Sequence, residues 1–498
     1  MMRFSWINFF RQTGFLILFL NTQIPAALAK VNLSLEQNSV ATAAKSSKSI
    51  CPAQLKTAID EIIDRPQFRR ASWGILIETL LPRSTNYSLY NHDAERFFIP
   101  ASNVKLLTTA AALRQLGANF QIRTSVYQIS EGVLRLVGQG DPSLQDAQLK
   151  DLAQQLKRQG ITNVRQLIVD DGYFRGDSIN LTWDWQDVQS DYGTAVNSLI
   201  LNQNAVELTL SPQQLGQPLR VSWEDRIASR QWQIENTSVT SAVGTKNSLT
   251  VTAVLGQPLL QIKGKLPVNA EAEIIGLPIM NPAQYFLAHF REALVAEGIS
   301  VAQTSVADSQ GITQGKEVAT IKSPPLANLL KETNQESNNL YAEVLLRRLG
   351  VSDSSDSTEA GIKKVVETLT TLGINPESYN LIDGSGLSRQ NLVSPQAIVQ
   401  TLKGMAKTPE ASIYRDSLST AGVSGTLRKR FLNTLAVGKL HAKTGTLTGV
   451  SALSGYLDIP GFQPVVFSLM VNQSNHSSTI QRQAIDEIVL LLIRLRDC

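Results

Sequence analysis

Hydrophobic and polar positions along the chain first predict two strands and a helix. Mixed aliphatic and β-branched residues over Ser72–Leu81 indicate a strand, and a turn with a second strand is expected within Ser84–Asp93. The stretch IPASNVKLLTTAAAL then predicts a helix from Ser102 to about Leu116, because Gly117 is a typical stop residue.

Short strand-like runs predominate over Ser125–Val306, and helical patterns at Ala147–Gly160 and Pro282–Ile299 interrupt them. Such a block is expected to form a region separate from the first core. Beyond it the helical period returns. The chain then ends with a predicted hairpin over Val450–Asn472 and a predicted amphipathic helix over Thr479–Arg496.

The N-terminal residues have the pattern of a secretory signal peptide. Two arginines precede the short apolar run Gly14–Leu20, and the small-residue pattern Ala27–Ala29 follows. The apolar run is far shorter than the roughly 20 residues that a membrane span needs. We therefore expect residues 1–29 to be a cleaved signal peptide and the polar residues 30–50 to be a flexible leader.

Composition and charge limit the number of domains and the kind of partner, but they do not indicate a function. The chain has 498 residues, 43% hydrophobic and 18% charged, enough for two or three folded domains. Its formal net charge is +4, which becomes 46 − 2 − 42 = +2 without the two signal-peptide arginines. The only dense basic run is Arg428–Arg430, so no nucleic-acid partner is expected.

Cys51 and Cys498 lie near the two ends of the mature chain, which suits a protein exported to an oxidising compartment. A disulfide between them would require the termini to meet. A disulfide and two unpaired thiols both fit the sequence.

Ser102 and Lys105 are the first candidates for chemistry. Serine is a poor nucleophile at neutral pH unless a base takes its proton and an oxyanion site stabilises the product. Residues three apart lie on one helix face, so the amine of Lys105 can reach the hydroxyl of Ser102. Free N–H groups at the helix start would favour developing negative charge. The Ser-x-x-Lys spacing alone is not specific.

The run Lys443, Thr444, Gly445 and Thr446 is a sharper signal because Lys-Thr-Gly is rare by chance. Here a strand edge could lend backbone groups to an extended peptide. Gly445 allows close approach, Thr444 can bind a carboxylate, and Lys443 supplies positive charge.

Ser337 and Asn339 open the amphipathic helix that ends at Gly350, where short polar side chains can face a cleft. An ordinary N-cap role for Ser337 fits the same position.

The order Ser-x-x-Lys, Ser-x-Asn, Lys-Thr-Gly is typical of penicillin-binding proteins and β-lactamases. The chain resembles the class C low-molecular-mass penicillin-binding proteins, the D-alanyl-D-alanine carboxypeptidase/endopeptidase family (peptidase family S13), over nearly the whole mature chain. The 337 − 102 = 235 residues between the two motif serines fit the insertion of that family. Four further segments resemble family segments: Gly138–Leu144, Asp191–Asn204, Asp383–Arg389 and Ser424–Phe431.

The resemblance implies four catalytic residues. Ser102 would become acylated and Lys105 would accept its proton. Ser337 would relay protons toward the leaving group, and Asn339 would orient Lys105 and the substrate amide.

The resemblance also implies a substrate-binding set. Lys443 and Thr444 would hold the charged end of the substrate beside Gly445, and the N–H groups of Ser102 and Thr446 would form the oxyanion hole. The glycine-rich loop that contains Ser385, Gly386 and Leu387 would line the cleft, although its composition alone also fits a plain turn.

The implied architecture is α/β (α+β), a penicillin-binding/β-lactamase-like transpeptidase domain with an antiparallel sheet flanked by helices. It would comprise residues 51–122 plus 323–498, with a large strand-rich insertion at 123–322. The implied protein is a serine D-Ala-D-Ala carboxypeptidase, also a DD-endopeptidase, exported to the periplasm or cell-wall space. Peptidoglycan stem peptides are its expected substrates and β-lactams its inhibitors. No cofactor or metal is expected, and membrane association and oligomeric state are left open.

Rival functions have weaker support. A zinc hydrolase is disfavoured because His92, His289, His441 and His476 lack metal-ligand spacing. For a Ser-His-Asp hydrolase, Gly422–Thr426 only approaches the Gly-x-Ser-x-Gly elbow. A β-lactamase would need a deacylation base that the sequence does not offer. A non-catalytic peptidoglycan-binding scaffold would not need the intact motifs.

Overall fold

The computed structural model describes residues 49–80, 88–308, 315–351 and 356–498. The predicted signal peptide and almost all of the predicted leader lie outside the described residues.

The first segment of the fold contains the first motif. Its elements are helix α1 (Pro52–Ile63), strands β1 (Ser72–Thr79) and β2 (Ser88–His92), a 3₁₀ turn (Ala101–Asn103) and helix α2 (Val104–Leu116). The strand predicted from Ser72 and the helix predicted to end at Leu116 are present, and β2 lies within the stretch where a second strand was expected.

The middle of the chain is rich in short strands, as predicted. Its strands are β3 (Arg123–Ser130), β4 (Val133–Gly138), β5 (Asn163–Asp170), β6 (Ala205–Ser211), β7 (Arg220–Trp223), β8 (Gln233–Asn236), β9 (Val239–Ser241), β10 (Thr250–Ala253), β11 (Leu259–Lys263), β12 (Lys265–Pro267), β13 (Glu273–Pro278), β14 (Ser300–Ala307) and β15 (Lys316–Lys322). Its helices are α3 (Asp146–Arg158), α4 (Arg226–Ser229) and α5 (Pro282–Ala296).

These strands form several sheets. The largest is a mixed five-stranded sheet in the order β14-β5-β4-β3-β15, in which β5 runs parallel to both of its neighbours. Smaller sheets have the orders β13-β6-β7 and β10-β11-β8, and β12 pairs with β9.

The last segment returns to helices and then to the central sheet. Its helices are α6 (Leu326–Gln335), α7 (Asn339–Leu349), α8 (Ser357–Thr371), α9 (Pro395–Met405), α10 (Ala411–Asp416) and α11 (Ser478–Leu492). Its strands are β16 (Tyr379–Asn380), β17 (Leu392–Val393), β18 (Ser419–Thr420), β19 (Leu440–Leu447), β20 (Val450–Leu457) and β21 (Val465–Asn472). The predicted hairpin corresponds to β20 and β21.

The central sheet is antiparallel and has the order β18-β19-β20-β21-β1-β2, so the strands of the first described segment lie next to those of the last. Every residue of β21 is buried, because helices cover both faces of the sheet. Successive side chains of β21 alternate between two cores. Val466 and Met470 face the core that contains α2 and α9, whereas Phe467 and Leu469 face the core that contains α1 and α11. The predicted fold class is confirmed.

A covalent bond also joins the first and the last described segments. Cys51 and Cys498 form a disulfide with a Cα–Cα distance of 5.7 Å. Beside it, Ile50 donates its N–H to the carbonyl of Arg494 and accepts the N–H of Arg496. The sequence left this pairing open.

The middle region contributes to two different hydrophobic cores. One hydrophobic core is built only from residues between Val126 and Ile321. However, Phe174, Trp183 and Ile200 pack into the same core as α2 and α7. The segment 171–204 therefore also contributes to the core beneath the first two motifs, and the exact boundaries of the insertion stay a prediction.

Candidate active site

Ser102 and Lys105 lie side by side at the start of α2. The amine nitrogen Nζ of Lys105 is 3.1 Å from Oγ of Ser102. It also donates to Oδ1 of Asn339 at 2.6 Å and to the carbonyl oxygen of Ser385 at 2.7 Å. The three elements that carry the first motif, the second motif and the glycine-rich loop therefore meet at this one amine.

The local backbone differs in detail from the prediction. The α-helix begins at Val104 rather than at Ser102, which lies in the preceding 3₁₀ turn. Ala101 has a left-handed φ of 48°, a strained conformation for a residue with a side chain. Asn103 anchors the turn because its buried amide donates to Oγ of Ser454 on β20 at 2.8 Å. Ser102 is partly exposed, whereas Ala101 and Asn103 on either side of it are buried.

Burial gives Lys105 the properties of a base. Its side chain is fully buried, and desolvation lowers its pKa to about 7, although the charges of Asp383 and Glu343 act in the opposite direction. A substantial fraction of the amines is then uncharged at neutral pH.

A second serine–lysine pair lies opposite the first. Nζ of Lys443 donates to Oγ of Ser337 at 2.8 Å and to the carbonyl of Thr444 at 2.9 Å. Burial and the nearby Lys105 charge lower the pKa of Lys443 well below its usual value, and Glu336 partly opposes them. Both amines are buried, whereas the hydroxyls of both serines are partly exposed.

The N-cap of α7 is Asn338, not Ser337. Oδ1 of Asn338 accepts the N–H of Tyr341 at 3.2 Å. Ser337 itself has a left-handed φ of 60°, so its hydroxyl is directed to Lys443. The capping alternative considered for Ser337 is therefore wrong.

Strand β19 forms the other wall. A Cβ atom on Gly445 would lie 2.7 Å from the carbonyl oxygen of Pro100, so glycine is required for the strand to approach the turn that contains Ser102. Thr446 is exposed at this point, and Oγ1 of Thr444 donates to Oγ1 of Thr426 at 2.9 Å. The backbone groups at the end of β19 are consequently next to the nucleophile.

The glycine-rich loop supports the site from below. Its three predicted contact residues are all buried, and Leu387 belongs to the core that contains α2. Gly386 packs against the strained turn, where a Cβ atom would lie only 1.9 Å from the carbonyl of Ala101. Ser385 and Leu387 are both buried, and their predicted contact with substrate stays a prediction.

Motif reasoning missed several residues that organise this loop. Asp383 is fully buried and accepts the N–H groups of Gly386 and Ser388, each at 2.7 Å. Its second oxygen also accepts from Nε1 of Trp183 at 3.0 Å. The sequence analysis named Asp383 only as the first residue of the segment Asp383–Arg389 and gave it no role.

The middle region also reaches the site. The carbonyl of Tyr192 accepts the Nδ2 amide hydrogen of Asn339 at 2.9 Å, and Gln203 accepts from Asn338 at 2.7 Å. These contacts fix the amide of Asn339 so that its oxygen faces Lys105. The segment around Asp191–Asn204, noted for its resemblance, thus touches the second motif.

The described residues contain neither a candidate metal site nor a candidate membrane span. Within them, no cluster of three or more His, Cys, Asp or Glu side chains could hold a metal ion. In the same parts of the chain, no helix has both the length and the hydropathy to cross a membrane.

A buried amine beside a partly exposed serine hydroxyl, next to a strand edge, defines a serine acyl-transfer site. The family model for the D-Ala-D-Ala carboxypeptidase 3 (S13) family matches residues 55–495. The chain belongs to this family.

Individual relatives match along most of their length. The chain is 32% identical over 464 residues to the D-alanyl-D-alanine carboxypeptidase of Actinomadura sp. (strain R39), covering 88% of this chain and 84% of the relative. It is 29% identical over 460 residues to the penicillin-sensitive carboxypeptidase A of Dictyostelium discoideum, covering 85% and 87%. Among solved structures, penicillin-binding protein 4 from Haemophilus influenzae superposes with a TM-score of 0.77 at 25% identity, covering 87% of this chain and 98% of that one.

Proposed function

We propose that the protein is a serine D-Ala-D-Ala carboxypeptidase that acts on peptidoglycan stem peptides through an acyl-enzyme on Ser102. The observation that carries this proposal is the 3.1 Å contact between Oγ of Ser102 and the buried amine of Lys105. Family membership and the names of the relatives support the substrate class.

The surroundings of Lys105 suit a neutral amine. Such an amine has two hydrogens and one lone pair. Oδ1 of Asn339 and the carbonyl of Ser385 accept the two hydrogens, which leaves the lone pair for the hydroxyl proton of Ser102. Ser102 can then attack the carbonyl carbon of the terminal D-Ala-D-Ala amide while its proton moves to Lys105.

The second pair serves the leaving group and the substrate carboxylate. The hydroxyl of Ser337 lies between Lys443 and the cleft and can pass a proton to the departing D-alanine nitrogen. A substrate carboxylate near Lys443 and Thr444 would favour the charged form of Lys443. The N–H groups of Ser102 and Thr446 are proposed to bind the oxyanion, and water then hydrolyses the ester on Ser102.

The same chemistry accommodates related substrates. Cleavage of a peptide cross-bridge replaces free D-alanine by a larger leaving group, so DD-endopeptidase activity is part of the proposal. Penicillin would acylate Ser102 in the same way, which agrees with the penicillin sensitivity named for the Dictyostelium relative.

Export to the periplasm or cell-wall space, after removal of residues 1–29, is also proposed. The disulfide between Cys51 and Cys498 supports it because such bonds persist in oxidising compartments. Division into a peptidase domain (51–122 plus 323–498) and an insertion (123–322) is proposed with it, supported by the separate core between Val126 and Ile321.

Digestion of purified muropeptides tests the enzymatic proposal. Mass spectrometry should detect loss of the terminal D-alanine with the wild type and with Ser300→Ala, an exposed control on β14. Ser102→Ala should release none. A wild type that binds muropeptides without cleaving them would instead favour a peptidoglycan-binding scaffold, and rapid nitrocefin turnover would favour a β-lactamase.

A further inference from the structure

Glu343 is a buried acid that the proposed acyl transfer does not use. It lies on α7, four residues after Asn339 and therefore on the same helix face. Its side chain is only 3% exposed. An acid buried to this degree is costly unless its oxygens accept hydrogen bonds.

The hydrogen bonds of Glu343 lead directly to the catalytic base. One carboxyl oxygen, Oε1, accepts the N–H groups of Gly384 at 3.0 Å and of Ser385 at 2.8 Å. The carbonyl of the same Ser385 accepts from Nζ of Lys105 at 2.7 Å. Glu343 therefore holds one of the two acceptors that orient the amine, while Asn339, one turn earlier, supplies the other.

We infer that Glu343 is a positioning residue for the base: it fixes the Ser385 carbonyl against Lys105, and its carboxylate adds negative charge to the surroundings of that amine. This inference rests on the proposed acylation of Ser102.

The electrostatic surroundings of Glu343 support an effect of its charge on Lys105. Burial and the charge of Asp383 raise the pKa of Glu343 to about 7, while its hydrogen bonds with Ser385 and Gly384 and the charge of Arg347 act against this rise. The charges of Asp383 and Glu343 in turn favour the protonated form of Lys105. Loss of the Glu343 charge would therefore lower the pKa of Lys105.

Charged groups reach this pair from each neighbouring element. They are Asp383 in the glycine-rich loop, Lys105 on α2, Arg347 on α7, Asp177 and Asp356 beside Arg347, and Lys443 with Glu336 beside the second serine. The charge of Asp383 also favours protonated Lys105 and remains when Glu343 is replaced. The pKa of Lys105 should therefore fall only in part.

Two substitutions separate charge from anchoring. Glu343→Gln keeps an oxygen for the two N–H groups but removes the charge. It should move the acid limb of the acylation rate to lower pH by roughly half to one unit. Glu343→Asp keeps the charge on a shorter side chain. It should leave the limb in place and lower the plateau rate by about tenfold or more, because the Ser385 carbonyl is less firmly held.

The measurement is the second-order rate of labelling by a fluorescent penicillin between about pH 5 and pH 9. Asp486→Asn, a carboxyl on α11 on the opposite face of the sheet, is the matched control and should leave both limb and plateau unchanged. Circular dichroism of each variant checks that it is folded. If Glu343→Gln does not fold, the Asp variant still decides: a limb and plateau equal to the wild type would overturn the role.

The outcomes separate the role of Glu343 from the proposed acylation of Ser102. A wild type that acylates with the same acid limb as a folded Glu343→Gln variant overturns only the role of Glu343. A wild type that is not acylated at any pH overturns the proposed acylation of Ser102, and this inference with it.

Discussion

Lys105→Arg is the substitution whose effect follows most directly from the structure. Arginine retains a long cationic side chain but stays protonated at every accessible pH, so it cannot take the proton of Ser102. Burial lowers the pKa of Lys105 from 10.5 to about 7. At pH 7 an unperturbed lysine would be neutral in about one molecule in 3,000, whereas about half of the buried amines are neutral.

The buried site therefore increases the population of the base by about three orders of magnitude at pH 7. General-base catalysis contributes typically about 10²–10⁴ in rate. We expect Lys105→Arg to slow acylation by fluorescent penicillin at least about 10³-fold at pH 7. The wild-type rate should rise with pH, reach half its maximum near pH 7 and level off above about pH 8.

The assay is time-resolved labelling followed by gel fluorescence, from about pH 5 to pH 9. Lys56→Arg is the control, because Lys56 is an exposed lysine on α1 paired with Asp60, and it should behave as the wild type. Acylation of Lys105→Arg within tenfold of the wild type would contradict the role of Lys105 as the base. So would a wild-type rate that still increases tenfold per pH unit above pH 8.

Three further predictions concern the frame around the site. Cys498→Ser should lower the thermal midpoint by roughly 2–6 °C in calorimetry, because it opens a loop spanning 447 residues; an unchanged midpoint would contradict a stabilising disulfide. Burial lowers the pKa of His289, but two neighbouring carboxylates outweigh this effect and raise it to about 9. The charged form of His289 therefore stabilises the fold fully below about pH 6.5, and this stability is lost as the pH rises through 9. Asp146, one of these carboxylates, is largely exposed, so solvent weakens its interaction with His289. His289→Gln should therefore cost about 1–2 kcal/mol of unfolding free energy at pH 7 and little above pH 10; a pH-independent loss would contradict the charged pair. Gly386→Ala should reduce acylation by about tenfold or more by displacing the Ala101 carbonyl, whereas Gly373→Ala, at a similar positive φ without neighbours, should not; equal effects would contradict the contact.

Much of this arrangement follows from sequence patterns. The largely apolar runs of β1, β20 and β21 are typical of strands that are buried on both faces. The resemblance carried by the three motifs placed those motifs at one site. Spacing of three residues was enough to put Lys105 next to Ser102, because helical geometry is local.

These sequence patterns did not predict the contacts between segments that are far apart in the sequence. Neither the spacing nor the composition shows that Glu343 accepts the N–H group of Ser385, or that the carbonyl of Tyr192 orients Asn339. Such contacts depend on tertiary packing between segments far apart in sequence. The same holds for Leu387, whose place in the core is decided by the helices that cover it.

The exact start of α2 was also not predicted, because it depends on local backbone strain. Ala101 adopts a left-handed φ and Gly386 packs on its carbonyl, so the chain forms a 3₁₀ turn before the helix. A motif does not encode this turn, although it determines how the Ser102 hydroxyl is presented.

The central claim is that the uncharged amine of Lys105 makes the hydroxyl of Ser102 the acylated group. Incubation of the purified protein with penicillin, followed by intact-mass measurement and peptide mapping, tests it directly. The account predicts one penicilloyl adduct, located on Ser102 and absent from Ser102→Ala. An adduct on Ser337 or any other residue, or an unmodified protein, would contradict it.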